Sequence, residues 1–328
     1  MLQLSEEMKI KMKHLNEHLL ATQAEALNVG REDLRDILRE GIGPFRPTRT
    51  LTKEEVGRKF PGAILGVDGS NNGYGGSFPH EVAVLQAAAI MTTGETYLKA
   101  DVVAPLLPEA RERVEEIARH DGLTHEQAMD RLVKMTGAEL EIQVALSALE
   151  EQTPALVLLD GGLLRYRTLA PSWGTLREKV LRRNIPIAGV IEEIGTREIA
   201  RSVRLPGALG ELYDRGVLYG LLEPGEALWP LPTLQWKQDI YTVFARLSHD
   251  PHPVGIDLLR EQEARFQDIV QIIYTLTPSG GRGIPLWLDV VDERTRLSSA
   301  AVELIVETFI DPAVRQKLLI PKRDRRDF

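Results

Sequence analysis

The sequence predicts an α/β domain in which a mixed sheet is flanked by helices, with a helical extension ahead of it. Three observations carry this. Strand-like runs crowd together after Ala63, joined by turn residues. From Thr124 onward, helical and apolar strand-like segments alternate. Before them, residues 5–40 place apolar side chains at helical spacing: Met8, Met12, Leu15, Leu19 and Leu20 recur near a 3.6-residue period with charges between.

The elements follow in order. "GIGPFRPTRTLT" reads as a linker, because its Gly and Pro residues interrupt helix. Thr52-x-x-Glu55 offers a capping box for a short helix. "AILGVD", "EVAVLQAAAIM" and "ETYLKADVVA" read as a three-stranded meander. Thr124-x-x-Gln127 caps a long helix reaching about Leu149, and the buried strand "ALVLLD" follows. A helix near 174–183, the strand "IPIAGVI" and a helix from about Thr196 come next. Beyond Pro206, "DIVQIIYTL" and "IPLWLDVV" are expected as strands and "SSAAVELIVETFI" as the final helix. The expected division is an extension and linker over 1–50, a domain over 51–312 and a basic tail over 313–328, whose end "PKRDRRDF" is expected to be disordered.

Composition narrows the function. The chain is 43% hydrophobic over 328 residues, enough for a real core. Its net charge of −8 argues against a generally basic nucleic-acid coat. With no cysteine there is no disulfide, thiolate zinc site or thiol nucleophile. The N-terminus lacks a signal-peptide core and no apolar run approaches the roughly 18 residues of a membrane helix, so a soluble cytoplasmic protein is expected.

Two acids stand out. Asp68 in "LGVDGSNNGYGG" and Asp160 in "ALVLLDGGLLRYR" each end an apolar run and precede glycine, which permits a sharp turn and a close approach. Asp-Gly is also an ordinary turn dipeptide, but two such sites after buried strands suggest a shared centre at strand ends. Paired carboxylates suit a hard cation such as Mn²⁺ or Mg²⁺. The helix before Asp160 offers Glu139 and Glu141 as further ligands, and the sequence does not choose between them. Positive charge gathers at 165–204, where nine Lys or Arg face four acids. Arg197, Arg201 and Arg204 fall at i, i+4 and i+7, a helix face suited to a DNA backbone, and Arg165 and Arg167 lie nearby. His14-x-x-Glu17-His18 formally matches an inverted zincin motif, but no third ligand is evident.

"GVDGS" opening a meander, "LVLLDGGL" about ninety residues later, "IAGVIEEIGTREIARSV" and "GIPLWLDVVDERT" together resemble the NurA nuclease family, over about Ala63 to Leu297. The resemblance implies an RNase H-like fold and a Mn²⁺-dependent deoxyribonuclease, with Mg²⁺ as the alternative ion. It implies 5′→3′ exonuclease and single-strand endonuclease activity in DNA double-strand-break end processing. It also implies a homodimer working with a HerA-type hexameric ATPase. Asp68, Asp160 and Glu141 would be catalytic. Two departures are present: Gly162 stands where the family commonly has serine or proline, and a C-terminal histidine that helps hold metal is replaced by Asp292, or by Asp289 if the register shifts. The rival reading is a catalytically weak or inactive adaptor that keeps the fold and regulates the ATPase.

Overall fold

The computed structural model describes residues 5–27, 29–234 and 236–320, so the expectation for "PKRDRRDF" lies outside the described residues. The strands are β1 (Phe45–Pro47), β2 (Ile64–Gly75), β3 (Glu81–Met91), β4 (Thr96–Val103), β5 (Leu156–Asp160), β6 (Ile187–Ile191), β7 (Glu226–Leu228), β8 (Ile240–Arg246) and β9 (Val254–Leu259). The helices are α1 (Glu6–Leu27), α2 (Arg31–Gly41), α3 (Lys53–Lys59), α4 (Pro108–Asp121), α5 (His125–Glu151), α6 (Leu163–Leu169) and α7 (Trp173–Arg182) in the first part of the chain. After β6 come α8 (Glu198–Ser202), α9 (Asp214–Leu218), α10 (Phe266–Leu276), α11 (Leu286–Thr295), α12 (Ser299–Phe309) and α13 (Pro312–Leu318).

All nine strands form one mixed sheet in the order β1-β7-β8-β9-β6-β5-β2-β3-β4. The expected meander is β2-β3-β4, antiparallel throughout. β5 then pairs parallel with β2, and β6 parallel with β5, giving the RNase H-like arrangement. Antiparallel β9, β8, β7 and β1 extend the sheet beyond it. Both expected capping boxes form, at Thr52 and Thr124.

Alternation along the central strands assigns the two faces. Leu65, Val67, Val157 and Leu159 face α4 to α7 in one core layer. Ile64, Leu156 and Leu158 face α10 and α11 in the other. A third cluster joins Leu34 and Leu38 of α2 to Ile199, Val217, Leu218 and Phe244.

The structure corrects two strand expectations. "DIVQIIYTL" lies in helix α10, whose buried Phe266, Ile269, Val270 and Ile273 follow i, i+3, i+4, i+7. "IPLWLDVV" enters α11, which starts after Pro285 and buries Leu288, Val291 and Thr295 along one stripe. A short apolar run carries little information to separate strand from helix. The segment read as linker also holds β1, which pairs with β7 through Phe45↔Leu228.

α2 is tied to the sheet by Arg35, which donates to Glu226 at 2.8 and 2.6 Å and to the Leu221 carbonyl at 2.9 Å. Its guanidinium also lies 4.2 Å from the Phe45 ring centroid. Both side chains of the pair are largely buried, so losing the cation strands a carboxylate. Arg35→Ala is expected to lower unfolding free energy by about 2 kcal/mol in urea titration. Unchanged stability would mean that α2 docks through Leu34 and Leu38 alone.

Candidate functional site

Val67 of β2 pairs with Leu159 of the parallel strand β5, so the next residues on the two strands are Asp68 and Asp160. Strand alternation turns both carboxylates to the α10–α11 face. Asp160 ends β5 as expected. Asp68 does not end its strand: β2 runs on to Gly75 against β3, and what stops near Asp68 is the parallel pairing to β5. After Asp160, Gly161 takes a φ of +110°, which turns the chain sharply away from the sheet.

Glu141 arrives from the opposite face, on α5, and is 2% exposed. Gly69 admits it. A Cβ on Gly69 would sit 2.7 Å from Glu141 Oε1 and 2.9 Å from its Cγ, so a side chain there would push the glutamate away. Arg165 grips Glu141 with two hydrogen bonds, Nη2 to Oε1 at 2.7 Å and Nη1 to Oε2 at 3.1 Å. The buried Tyr166 hydroxyl lies 2.5 Å from Glu141 Oε2 and 2.7 Å from the Asp160 carbonyl. Tyr166 thus links the helix glutamate to the strand end.

The α11 side contributes Thr295, fully buried, whose hydroxyl donates to Asp68 Oδ2 at 3.1 Å. Burial, then the charge of Glu141, pushes the Asp68 carboxyl up to about 6, although the Gly69 N–H and Thr295 act against the shift. Burial, then the charges of Asp68, Glu141 and Asp292, pushes Asp160 up to about 7. These shifts place four acids within electrostatic reach of one another. Like charges gathered in a poorly solvated place are what a bound cation relieves. The oxygen-only donor set fits Mn²⁺ or Mg²⁺. Among the described residues, no three His, Asp or Glu side chains are already arranged around a vacant ion position. The side-chain pairing accounts for this: Glu141 is held by Arg165, and Asp292 is paired with Arg296 at 2.7 Å.

The two open choices now separate in space. Glu139 accepts from the Ser172 backbone N–H at 3.0 Å and from Gln143 at 2.8 Å, so it anchors the start of α7 away from the acids. Asp292 acts electrostatically on both Asp68 and Asp160, whereas Asp289 is paired with Arg282 at 2.7 Å.

The expected arginine face is not there. α8 covers only Glu198–Ser202, with Arg197 as its N-cap and Arg204 past its end, so Arg197, Arg201 and Arg204 share no helix face. Arg197 pairs with Glu211 and Arg201 with Glu198. Arg165 is committed to Glu141, and Arg167 to Asp239 and the Lys237 carbonyl. The spacing rule assumed a helix of two full turns, which the extended backbone at Val203 prevents. His14, Glu17 and His18 lie on α1, whose described side chains through residue 21 are exposed. Tyr166 and Thr295 escaped the sequence reading. Both are uncharged, and their role exists only through contacts with residues 25 and 227 positions away.

Among the described residues, no helix is long and apolar enough to cross a membrane. No curated protein matches the sequence. Among solved structures, Endonuclease V from Ciona intestinalis, in complex with a 24mer DNA containing an inosine followed by a ribo-adenosine, is similar at 15% identity and a TM-score of 0.37, over 86% of this chain and 99% of that one. The catalytic domain of human Endonuclease V is similar at 16% identity and a TM-score of 0.34, over 89% and 97%. Kluyveromyces polysporus Argonaute, with a guide RNA, is similar at 12% identity and a TM-score of 0.33, over 75% and 28%. TM-scores this low assign neither chemistry nor substrate here. The NurA domain model, by contrast, matches residues 62–297, a span that contains Asp68, Glu141, Asp160 and Asp292. The chain belongs to the NurA domain family.

Proposed function

We propose that the protein is a divalent-metal-dependent deoxyribonuclease that cleaves phosphodiester bonds at the Asp68–Asp160 centre. One observation carries the reading: the buried Asp68 and the half-buried Asp160 follow directly on paired residues of adjacent parallel strands, and the charges of Glu141 and Asp292 act on both. Membership of the NurA family supports a nuclease. Asp68, Asp160 and Glu141 would hold the cation, with Asp292 completing the set. When bound, a divalent cation polarises a phosphoryl oxygen and lowers the pKa of a coordinated water. Thr295 fixes the rotamer of Asp68, and Tyr166 holds the Asp160 backbone against Glu141. Releasing Glu141 from Arg165 would free a guanidinium beside the scissile phosphate, where it would offset charge.

The finer reading follows the family: 5′→3′ exonuclease and single-strand endonuclease action on DNA ends, Mn²⁺ as the ion with Mg²⁺ as the alternative, a homodimer, a HerA-type ATPase partner and a cytoplasmic setting. The test is cleavage of labelled single-stranded DNA with Mn²⁺, abolished by EDTA. Glu141→Gln is expected to lose at least 100-fold in rate, because a ligand is removed, whereas Glu139→Gln keeps activity within about threefold. The reverse pattern would exchange the two glutamates.

A specific observation favours the adaptor reading as a second possibility: both Glu141 and Asp292 are engaged by arginines. No Mn²⁺- or Mg²⁺-dependent cleavage by the purified chain, alone or with its ATPase, would favour the adaptor.

A further inference from the structure

The segment leaving β6 leads to a feature that the carboxylate chemistry does not use. Val190 of β6 pairs with Asp160. Four residues further on, Ile194 lines an open, mostly apolar pocket of about 590 Å³ together with Tyr213, Arg215, Tyr219 and His252. Chain reach limits the Val190-to-Ile194 separation to roughly 14 Å. In a chain that is only 5% aromatic, Tyr213 is 58% exposed and Tyr219 54% exposed.

The two tyrosines are not loose. They cap the two ends of α9. That helix is anchored by Asp214, which is fully buried. Its carboxylate accepts from the Thr196 hydroxyl at 2.6 Å and from the backbone N–H groups of Glu198 and Ile199 at 2.9 and 3.0 Å. The hook ties α9 to the chain leaving β6, and so sets the tyrosines relative to the strand that pairs with β5, where Asp160 lies. His252 stands edge-on to Tyr219, with centroids 4.8 Å apart and an interplanar angle of 71°, and is itself oriented by Asp250. Arg197 lies 6.0 Å from the Tyr213 centroid. Arg197 and Arg215 pair with Glu211 and Glu193, both on the open surface, where an ion pair exchanges readily for a phosphate.

We propose that Tyr213 and Tyr219 form a stacking platform for unpaired nucleobases of a single strand running out of the Asp68–Asp160 centre. The inference rests on the nuclease reading and adds to it where the strand is held. Exposed aromatic rings flanked by guanidinium groups hold a single strand by base stacking plus backbone charge, and do so without regard to sequence. A duplex hides its base faces and cannot use the platform.

The test is binding to the full-length protein in EDTA, where cleavage is silent. The probes are a fluorescein-labelled 15-mer of thymidines, the same length with abasic sites, and a duplex. The wild type is expected to bind the thymidine strand about tenfold tighter than the abasic strand. Tyr213→Ala/Tyr219→Ala is expected to erase that preference while melting at the wild-type temperature. Tyr213→Phe/Tyr219→Phe is expected to retain it. Two results overturn the proposal: no base preference in the wild type, or a preference unchanged in the alanine pair. A shift of the alanine pair toward monomer in sedimentation, with DNA binding intact, also overturns it by assigning the patch to a second copy. Loss of cleavage by Asp68→Ala with the binding preference intact leaves the platform standing and tests the nuclease centre separately.

Discussion

An Asp160→Asn protein is expected to cut DNA about a thousandfold more slowly and, without metal, to melt later than the wild type at pH 8. The first effect follows from the nuclease proposal, in which Asp160 would be a negatively charged cation ligand. Lewis-acid stabilisation is worth several kcal/mol, so about three orders of magnitude in rate should go. The second comes from proton linkage. Burial, then the neighbouring Asp68 charge, raises the Asp160 carboxyl from 3.8 to about 7 in the folded protein. Below about pH 4 both folded and unfolded chains hold that proton, and the group makes no difference. As pH rises toward 7 the unfolded chain releases it first, so the folded state carries more protons and loses stability. Above about pH 7 the penalty is complete, on the order of 2–4 kcal/mol. Asparagine never ionises and escapes it. Thermal melts in EDTA should therefore show a gain of several degrees at pH 8 that fades by pH 4. A gain of equal size at both pH values would place the effect in packing instead.

Lys237→Met is expected to be the most damaging single change away from the acids. Lys237 donates to Asp257 at 2.7 Å, with Asp257 fully buried and Lys237 only 9% exposed at its side chain. Asp257 Oδ1 also accepts from Thr242 at 2.6 Å, while Oδ2 has no partner. Deleting the ammonium leaves a carboxylate on an interior strand with one hydroxyl for company, which typically costs about 3–5 kcal/mol. Adding Asp257→Asn should restore most of that loss, because a neutral amide tolerates the site. Urea denaturation of the two singles and the double gives the coupling energy directly. If the double is no better than Lys237→Met alone, the lysine acts by filling space.

The residues that were readable from sequence share a property: their signal is local. Asp68 and Asp160 interrupt apolar runs, and the Thr52 and Thr124 caps sit beside the helices they start. Glu139 and Glu141 could not be separated because α5 is buried around most of its circumference, with Leu140, Glu141, Ile142, Val144 and Ala145 all interior. A helix without a polar face gives no phase from which to say where a given carboxylate points. β8 and β9 went unread because they are interior along nearly their whole length and show no alternation, and a run as short as that of α10 does not separate a helical from a strand period. The Lys237–Asp257 pair, 20 residues apart, and the Thr295–Asp68 bond, 227 apart, exist only once the sheet has formed.

The pairing of β1 with β7 bears on how the chain is made. Phe45 finds its partner at Leu228, some 180 residues later. At ribosomal rates of about 5–20 residues per second, the early strand waits roughly ten to forty seconds for the edge it belongs to. For most of that interval Leu34 and Leu38 of α2 have no cluster to enter, because Val217 and Leu218 come near its end and Phe244 after it. α2 and β1 are therefore synthesised well before the segments that secure them, a delay during which a chaperone or a neighbouring nascent chain competes for the apolar face of α2.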